Sequence, residues 1–344
     1  MQKKGLIVLL VAAVIVAAAA IFLSLGGTRS VAEAGSGQPI LAGLAGKIGD
    51  VASLKISGAG GTVTLQRQAP GWSVGEKGGY PADPTRIRQA LLGFAELKLV
   101  EPKTRSADSY GRLDVEDPGK PGGHARLIEI ADASGGKLGE LIVGKRRPDR
   151  LGSGADGLYI RRPGDAQSWL AQGSVDLPAE TKDWLDKKIV SIAPTRIATV
   201  TLTHADGSTL VLKRDKEDAK FTVQDAPAES KFKADAAIAE PAGALDGLEL
   251  TDVRAVAELA FPSVGVSRAA WLTFDGVTIT AETFEKDGTN WLRLKASGSD
   301  SDKATEEAAA INARAANWAY AVYPYKVNAM KTKLADLVEA PKGS

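Results

Sequence analysis

Val51-Ala-Ser-Leu-Lys-Ile56 and Thr62-Val-Thr-Leu-Gln-Arg67 set the architecture of the chain, because apolar and polar residues alternate along both runs. The glycine-rich sequence 57–61 separates them, which is typical of an antiparallel β-hairpin. Gly71–Val74 offers a third short strand directly afterwards. The first part of the chain therefore predicts a small antiparallel sheet.

A helix is predicted to follow this hairpin. Asp83 is a favourable capping residue, and Pro84 suits the first helical position because it has no N–H to leave unpaired. The pattern is predicted to end near Val100, and its apolar residues recur at helical spacing: Ile87, Ala90, Leu91, Phe94 and Ala95. Residues 51–100 thus predict a hairpin followed by a helix.

The same order of signals returns roughly 150 residues later, which indicates an internal repeat. Ile197–Thr203 and Thr209–Arg214 match the first hairpin, Phe221–Val223 matches the third strand, and a helical pattern begins at Asp235. Pro241 lies inside that second helical pattern, so the helix is predicted to be shortened or kinked there.

These patterns predict an α+β protein with two tandem repeats, each an antiparallel-sheet-rich hairpin-helix domain. The first repeat domain is assigned to residues 43–187 and the second to residues 188–300, with a C-terminal helical segment packing on the body over residues 301–344. Within the first domain, Asp165–Leu170 and Thr181–Lys187 are predicted to be short helical turns.

Residues 5–25 carry no charge and predict a transmembrane helix. At about 1.5 Å per residue this segment is about 31 Å long, which matches the apolar thickness of a bilayer. Lys3 and Lys4 precede it, so residues 1–4 are expected to be a cytoplasmic tip and the body to lie outside the membrane.

Residues 26–42 begin with small and polar residues and predict a flexible linker. The alternative for the N-terminus is a cleaved signal peptide with Ala32-Glu-Ala34 as the cleavage site. The apolar core is longer than the ~7–15 residues usual in signal peptides, which favours an uncleaved anchor.

Composition argues against several classes of function. Lys and Arg total 43 against 42 Asp and Glu, so no basic field suggests nucleic acid as a partner. The absence of cysteine excludes thiol nucleophiles and cysteine-bound metals. The two histidines have no partners at metal spacing, and the G-x-G-x-x-G match at 152–157 precedes a strand rather than a helix. We therefore expect no cofactor, no metal site and no enzymatic activity.

One candidate recognition site is a cluster of basic residues that would bracket a hairpin and could contact an acidic partner or an anion. The alternative is a solvated hairpin whose charges protect an edge strand from aggregation. The cluster comprises Lys145, Arg146, Arg147, Arg150, Arg161 and Arg162.

The second candidate is a group of aromatic residues near the C-terminus, placed among two apolar stripes of predicted helices. Such helices could cover the protein's own body or lie on a membrane or a partner. The candidate interface aromatics are Trp318, Tyr320, Tyr323 and Tyr325.

Several short motifs resemble those of the bacterial envelope family called domain of unknown function 4340. They are Glu76–Asp83, Leu99–Lys103, Val143–Lys145, Arg161–Leu170, Trp184–Lys187, Trp318–Tyr320 and Tyr325-Lys326. Members of that family are often encoded beside ABC transporters of the gliding-motility type. The resemblance implies an accessory role at an exporter, and the family brings no catalytic residues to carry over.

The expected function is a membrane-anchored extracytoplasmic accessory or scaffold subunit, in contact with the membrane through residues 5–25 and with an ABC transporter permease. The expected location is the bacterial inner membrane, single-pass, with the C-terminal body in the periplasm. One alternative is an envelope glycan- or lipid-binding module, and the third candidate is a carboxylate-dependent hydrolase.

Overall fold

The computed structural model describes residues 37–120, 122–148, 156–262, 264–299 and 301–339. The predicted span at residues 5–25 and the candidate residue Arg150 lie outside these ranges. Within them, no helix combines the length and apolar character needed to cross a membrane.

The described residues form an α+β fold with two antiparallel sheets of nine strands each, which confirms the predicted class. The chain divides into two compact units. Unit 1 comprises the described residues up to Glu76 together with Pro81–Trp184, and unit 2 comprises Lys77–Tyr80 together with the described residues from Leu185 onward.

The first sheet has the strand order β4-β3-β2-β1-β6-β7-β8-β9-β5. Its core side is lined by alternating residues of β1 and β2, such as Leu54 and Leu65, which are both fully buried. The strands are β1 Val51–Gly58, β2 Gly61–Gln68, β3 Gly71–Val74, β4 Tyr80–Pro81, β5 Lys98–Pro102, β6 Arg126–Asp132, β7 Lys137–Arg147, β8 Gly157–Arg161 and β9 Ser168–Gln172.

The second sheet has the strand order β10-β14-β18-β17-β16-β15-β11-β12-β13. The strands are β10 Lys188–Val190, β11 Ile197–Thr203, β12 Thr209–Lys213, β13 Thr222–Val223, β14 Leu248–Ala255, β15 Ser267–Thr273, β16 Val277–Lys286, β17 Thr289–Gly298 and β18 Trp318–Val322. When β1–β3 are matched to β11–β13 and β5–β9 to β14–β18, these eight strands have the same order in both sheets, and β4 and β10 are added at opposite ends.

Helix α1, Pro84–Glu96, begins as its sequence predicts. The Asp83 carboxylate accepts hydrogen bonds from the backbone N–H groups of Thr85 (2.9 Å) and Arg86 (3.2 Å), which satisfies donors that a helix start leaves unpaired. Gly93 permits close packing, because a Cβ there would lie 2.9 Å from the carbonyl oxygen of Ser174.

The matching helix of unit 2 is interrupted at Pro241. Helix α2, Asp235–Ala239, gives way to a 3₁₀ turn over Glu240–Gly243. Proline lacks the N–H of an α-helical hydrogen bond and its ring crowds the preceding turn, so the helix ends early. The indole N–H of Trp271 donates to the Pro241 carbonyl at 2.8 Å, which fixes the turn above the sheet.

The end of the chain differs from the predicted helical segment at residues 301–344. The remaining helices are α3 Val256–Leu259, α4 Asp302–Ala315, α5 Pro324–Met330 and α6 Leu334–Leu337, and residues 318–322 between α4 and α5 form strand β18. β18 pairs with both β14 and β17, and Ala319, Tyr320, Ala321 and Val322 are all buried. A strand buried on both faces loses the alternation that would distinguish it from a helix in sequence.

Residues 37–42, assigned to the flexible linker, belong to the packed body. The N–H of Gly37 and that of Ile40 donate to the carbonyl groups of Leu99 (2.7 Å) and Leu97 (3.0 Å), and Leu99 donates to the Gln38 carbonyl at 3.0 Å. Ile40 is 2% exposed. Burial of Ile40 and pairing with β5 therefore order this segment despite its small and polar neighbours.

The predicted helical turn at Asp165–Leu170 is also wrong, because Ser168–Gln172 forms β9 and pairs with β8 on one side and β5 on the other. Thr181–Trp184 does form a 3₁₀ turn. The hydrogen bonds of two neighbouring strands thus override a short local helical signal.

Candidate functional site

A groove runs along α1 in unit 1, with a volume of about 540 Å³. We call it the α1 groove. Its lining comes from the 3₁₀ turn Ala45–Asp50, from β2 and β3, and from one face of α1. The lining residues are Ile48, Gly49, Arg67, Trp72, Pro84, Ile87, Arg88, Leu91 and Leu92.

The helix contributes its lining at positions i, i+3, i+4, i+7 and i+8 counted from Pro84, which is one continuous helical face. Ile87 and Leu91 are 1% and 2% exposed and form the floor of the groove. Leu92 is 42% exposed, which leaves a large apolar side chain at the rim. An apolar floor with an exposed apolar rim is typical of a binding groove.

The opposite rim is built by Arg67 and Trp72. The Arg67 guanidinium lies 5.2 Å from the centroid of the Trp72 ring, and its Nη1 donates to the Gly49 carbonyl at 3.0 Å. Arg67 lies near the exposed end of β2, after the alternating apolar residues of that strand. Trp72 lies in β3, four residues after β2 ends. The pair holds the indole of Trp72 half-buried beside the groove.

The charge at the α1 groove is positive. Arg67 and Arg88 are the ionisable side chains among the described residues that line it. Guanidinium groups stay charged at all physiological pH values and form bidentate hydrogen bonds with carboxylates. The groove can therefore receive an apolar group that carries acidic substituents, and its side chains are suited to binding rather than to proton transfer.

Arg161, one of the predicted basic contacts, is buried inside unit 1. Its Nε donates to the Val115 carbonyl at 2.7 Å and its Nη1 to the Asp165 carbonyl at 3.1 Å, while Asp117 pairs with Nη2. The side chain is 4% exposed and lies over the Tyr110 ring. Because no free guanidinium face remains for an external ligand, Arg161 is corrected to a structural residue.

Among the residues that the structure describes, the other basic candidates do not form one free cationic surface. Lys145 donates to the Arg112 carbonyl at 3.0 Å and lies 3.5 Å from Asp114. The remaining contacts are a 3.4 Å ion pair of Arg146 with Asp156 and a 3.0 Å hydrogen bond from Arg162 to the Ile40 carbonyl, while Arg147 is exposed. The structure thus uses most of these charges for local contacts.

Two of the four candidate aromatics pack against Tyr80 in unit 2. The rings of Trp318 and Tyr320 make edge contacts with Tyr80, with centroid distances of 5.1 and 6.2 Å. The Tyr80 hydroxyl donates to the Asp186 carbonyl at 3.3 Å, and burial raises the pKa of Tyr80 to about 12. Burial also raises the pKa of Tyr320. Tyr320 thus packs in the core of unit 2, and Trp318 lies partly buried beside Tyr80.

The other two aromatics are exposed. Tyr323 and Tyr325 are 47% and 60% exposed, and their rings stack with centroids 6.1 Å apart at an angle of 26°. Lys326 beside them is buried and donates to the carbonyl groups of Gly243 and Asp246. Burial lowers the pKa of this lysine. The tyrosine pair is thus a small aromatic surface on a fixed support.

Helical periodicity in the sequence does not distinguish the residues that line the α1 groove from residues that pack in the core. Leu92 directly follows Leu91 in the sequence, but it lies beside the apolar helical stripe that includes Leu91, Phe94 and Ala95. An extra leucine at the margin of a helical stripe is often a solvated residue, so its role becomes evident only beside Trp72 and Arg67.

Comparison with known protein families finds one match, to the family described as Domain of unknown function (DUF4340), over residues 72–263. The matched stretch contains Trp72 and the whole of α1. Comparison with curated proteins and with solved structures finds no match. Within the described ranges, no three His, Asp or Glu side chains are grouped so that they could hold a metal ion.

Proposed function

The chain belongs to the family Domain of unknown function (DUF4340), and from this premise we propose that it is a non-catalytic, membrane-anchored accessory or scaffold subunit of an ABC-type export system in the bacterial inner membrane. Its body would lie in the periplasm and bind the permease. The observation that carries the proposal is the α1 groove, an apolar and cationic groove with an exposed leucine at its rim.

The occupant that fits the α1 groove is an apolar segment of the partner with acidic residues beside it. The buried floor of Ile87 and Leu91 suits aliphatic side chains, and Arg67 and Arg88 suit carboxylates. A partner helix that carries aliphatic and acidic side chains on one face would fit the groove. Most of the binding free energy is then expected from the apolar contacts, with the arginines selecting the partner.

The start of unit 1 supports a location close to the membrane. Residues 37–40 are paired with β5, and the predicted span ends at residue 25. The intervening residues 26–36 can reach at most about 40 Å even when fully extended. Unit 1 would therefore stay within reach of the periplasmic parts of a permease.

We also propose that the two units arose by internal duplication. Each unit begins with a segment that lies along the edge of a matching strand, β5 in unit 1 and β14 in unit 2. The Gln38 carbonyl accepts from the Leu99 N–H (3.0 Å), and the Lys187 carbonyl accepts from the Leu250 N–H (2.9 Å). In each unit this contact is followed by a 3₁₀ turn and then the first hairpin. The first copy would thus start near residue 37 and the second near residue 187.

Purification of the full chain in mild detergent tests the proposed partner. We expect a permease, identified by mass spectrometry, to co-purify with the wild-type protein, and Leu92→Glu to reduce its yield at least 10-fold because a charge replaces the apolar rim. Leu272→Glu is the matched control, because Leu272 is 40% exposed on the second sheet.

Retention of the permease by Leu92→Glu, an equal loss with Leu272→Glu, or the absence of any permease from the wild-type preparation would contradict this proposal. Thermal melting of each variant separates loss of binding from loss of folding.

The glycan- or lipid-binding alternative has one supporting observation, the exposed Tyr323–Tyr325 stack. Aromatic faces with polar tips suit partly hydrated ligands such as sugars. Under this alternative, the double substitution of both tyrosines by alanine abolishes retention of the protein on purified cell-wall glycan, whereas Leu92→Glu leaves it unchanged.

A further inference from the structure

Unit 2 contains a helix that its counterpart in unit 1 lacks. Residues 299–317 connect β17 to β18 and carry α4, whereas residues 162–167 connect the matching strands β8 and β9 as a short turn. Since the strand order is otherwise the same, α4 is an addition to a shared framework.

Helix α4 is fixed to the edge of β17 by Asn312. Its side-chain amide donates to the Ala296 carbonyl and accepts from the Ala296 N–H, both at 2.8 Å. β18 pairs with β17 only at Trp291 and Leu292, so Asn312 satisfies backbone groups beyond the end of that pairing. Gly298 allows the close approach, because a Cβ there would lie 2.4 Å from the backbone of Ala304.

A cavity of about 530 Å³, which we call the α4 cavity, lies between this helix and the outer face of the second sheet. Thr280 and Lys295 face each other across the β16–β17 ladder, and Glu282 and Arg293 form the next pair on the same face. Asn312 and Ala316 of the α4 segment form the wall, while Leu294 lies between Arg293 and Lys295 in the strand and its side chain is buried on the opposite face. This volume suits a small organic molecule.

The charges beside the α4 cavity leave an excess of positive charge. Arg268 donates from Nε to Glu282 at 2.8 Å, and Arg293 pairs with the other carboxylate oxygen. Burial would raise the pKa of Glu282, but its hydrogen bonds from Arg268 and Arg293 lower that pKa, so the carboxylate stays ionised. Two arginines thus pair with one carboxylate. Lys295 adds an ammonium group that forms no ion pair with the residues the structure describes.

We propose that the α4 cavity binds a small organic carboxylate, held by the Lys295 ammonium and the Thr280 hydroxyl, with its apolar part against Ala316. This site lies within unit 2 and is independent of the α1 groove and of the proposed permease contact. Arg293 contributes to the positive field while its hydrogen bonds keep Glu282 from repelling the ligand. Helix α4, which replaces a short turn of unit 1, would thus have a function, since it supplies one wall of a ligand site.

Saturation-transfer NMR on the full chain in a neutral detergent, with micelles alone as a blank, tests this site. Benzoate is the probe, and benzamide is its neutral counterpart of similar shape. We expect benzoate to bind at least 10-fold more tightly than benzamide, because only benzoate offers a carboxylate to Lys295. Equal binding of the two probes, or no binding of benzoate, would overturn the proposal.

Three variants locate the site. Lys295→Met should weaken benzoate binding at least 10-fold, and Ala316→Trp should do the same by filling the cavity from an exposed position. Lys303→Met removes an exposed lysine of α4 outside the cavity and should bind as the wild type does. Equal behaviour of the Lys295 and Lys303 variants, or normal binding by Ala316→Trp, would place benzoate elsewhere and refute the site.

Discussion

Both units contain an arginine that lies over an aromatic ring, but the two arginines make different further contacts. In unit 2 the Arg214 guanidinium lies 4.5 Å from the Phe221 ring centroid, as Arg67 lies over Trp72 in unit 1. Phe221 is 8% exposed, while Trp72 is only partly buried. Arg214 also donates hydrogen bonds to the carbonyl groups of four residues, Pro194, Thr195, Ile197 and Glu217.

The difference separates an arginine whose side chain is committed to the fold from one that borders an open groove. Arg214 donates four hydrogen bonds, two of which connect the hairpin to the 3₁₀ turn Pro194–Arg196, so its side chain is committed to the fold. Arg67 makes one such bond, to Gly49, and the space next to it is the α1 groove. A second difference is α4, which closes a cavity in unit 2 where unit 1 has a short turn.

The largest expected effect comes from removing the close approach that α4 requires. Gly298→Ala places a Cβ 2.4 Å from the backbone of Ala304, so α4 must shift away from β17. We expect unit 2 to lose about 3 kcal/mol of stability, which is the upper range for overpacking. Gly60→Ala is the control, because a Cβ at Gly60 meets no atom within 4 Å.

Hydrogen exchange of the amides of β17 measures this loss in unit 2 alone. If Gly298→Ala and Gly60→Ala gave the same protection, α4 would not depend on contact with Gly298, and the wall of the α4 cavity would be mobile.

The next effect is a pH dependence confined to unit 2. The neutral form of Tyr80 is favoured in the folded protein, because burial raises its pKa to about 12 from an ordinary value of 10.0. The stability from this group is complete below pH ~10 and is lost as the pH rises from ~10 to ~12, by about 2 kcal/mol. Tyr80→Phe has no hydroxyl to ionise and should lose less stability over this interval.

Denaturant unfolding of both proteins at pH 9, 10, 11 and 12, followed by Trp fluorescence, checks this expectation. Parallel losses in the wild type and in Tyr80→Phe would show that Tyr80 ionises as readily in the folded chain as in the unfolded one.

The smallest expected effect concerns the two arginines themselves. Arg214→Met removes four hydrogen bonds to carbonyl groups, whereas Arg67→Met removes one, so the Arg214 variant should be less stable by about 1 kcal/mol. Both side chains are partly exposed and water replaces part of each loss. Calorimetry of the two variants gives the comparison directly, and a larger loss for Arg67→Met would reverse the assigned roles.

Sequence periodicity predicts the hairpins and α1 because their residues alternate between a buried and a solvated face. The same reasoning fails for Trp318–Val322, since β18 is a central strand whose residues 319–322 are buried on both faces. It also fails for Ser168–Gln172, where partners distant in sequence determine the pairing. Elements with a solvated face can be predicted locally, and elements inside a sheet cannot.

The candidate sites follow a similar division. Arg161 has the sequence character of a surface cation, yet the carbonyl groups of Val115 and Asp165 bind it in the interior. Leu92 appears as one more helical leucine until Trp72 and Arg67 are placed opposite it. Both assignments depend on which residues meet in space, and no spacing in the sequence contains that information.

Photo-cross-linking from two matched positions tests most directly the claim that unit 1, and not unit 2, carries the partner groove. A photoreactive phenylalanine analogue replaces Leu92 in one protein and Leu272 in the other, at side chains of similar exposure, 42% and 40%. We expect an adduct with the permease from position 92 and none from position 272. Equal adducts from both positions, or an adduct from position 272 alone, would contradict this claim.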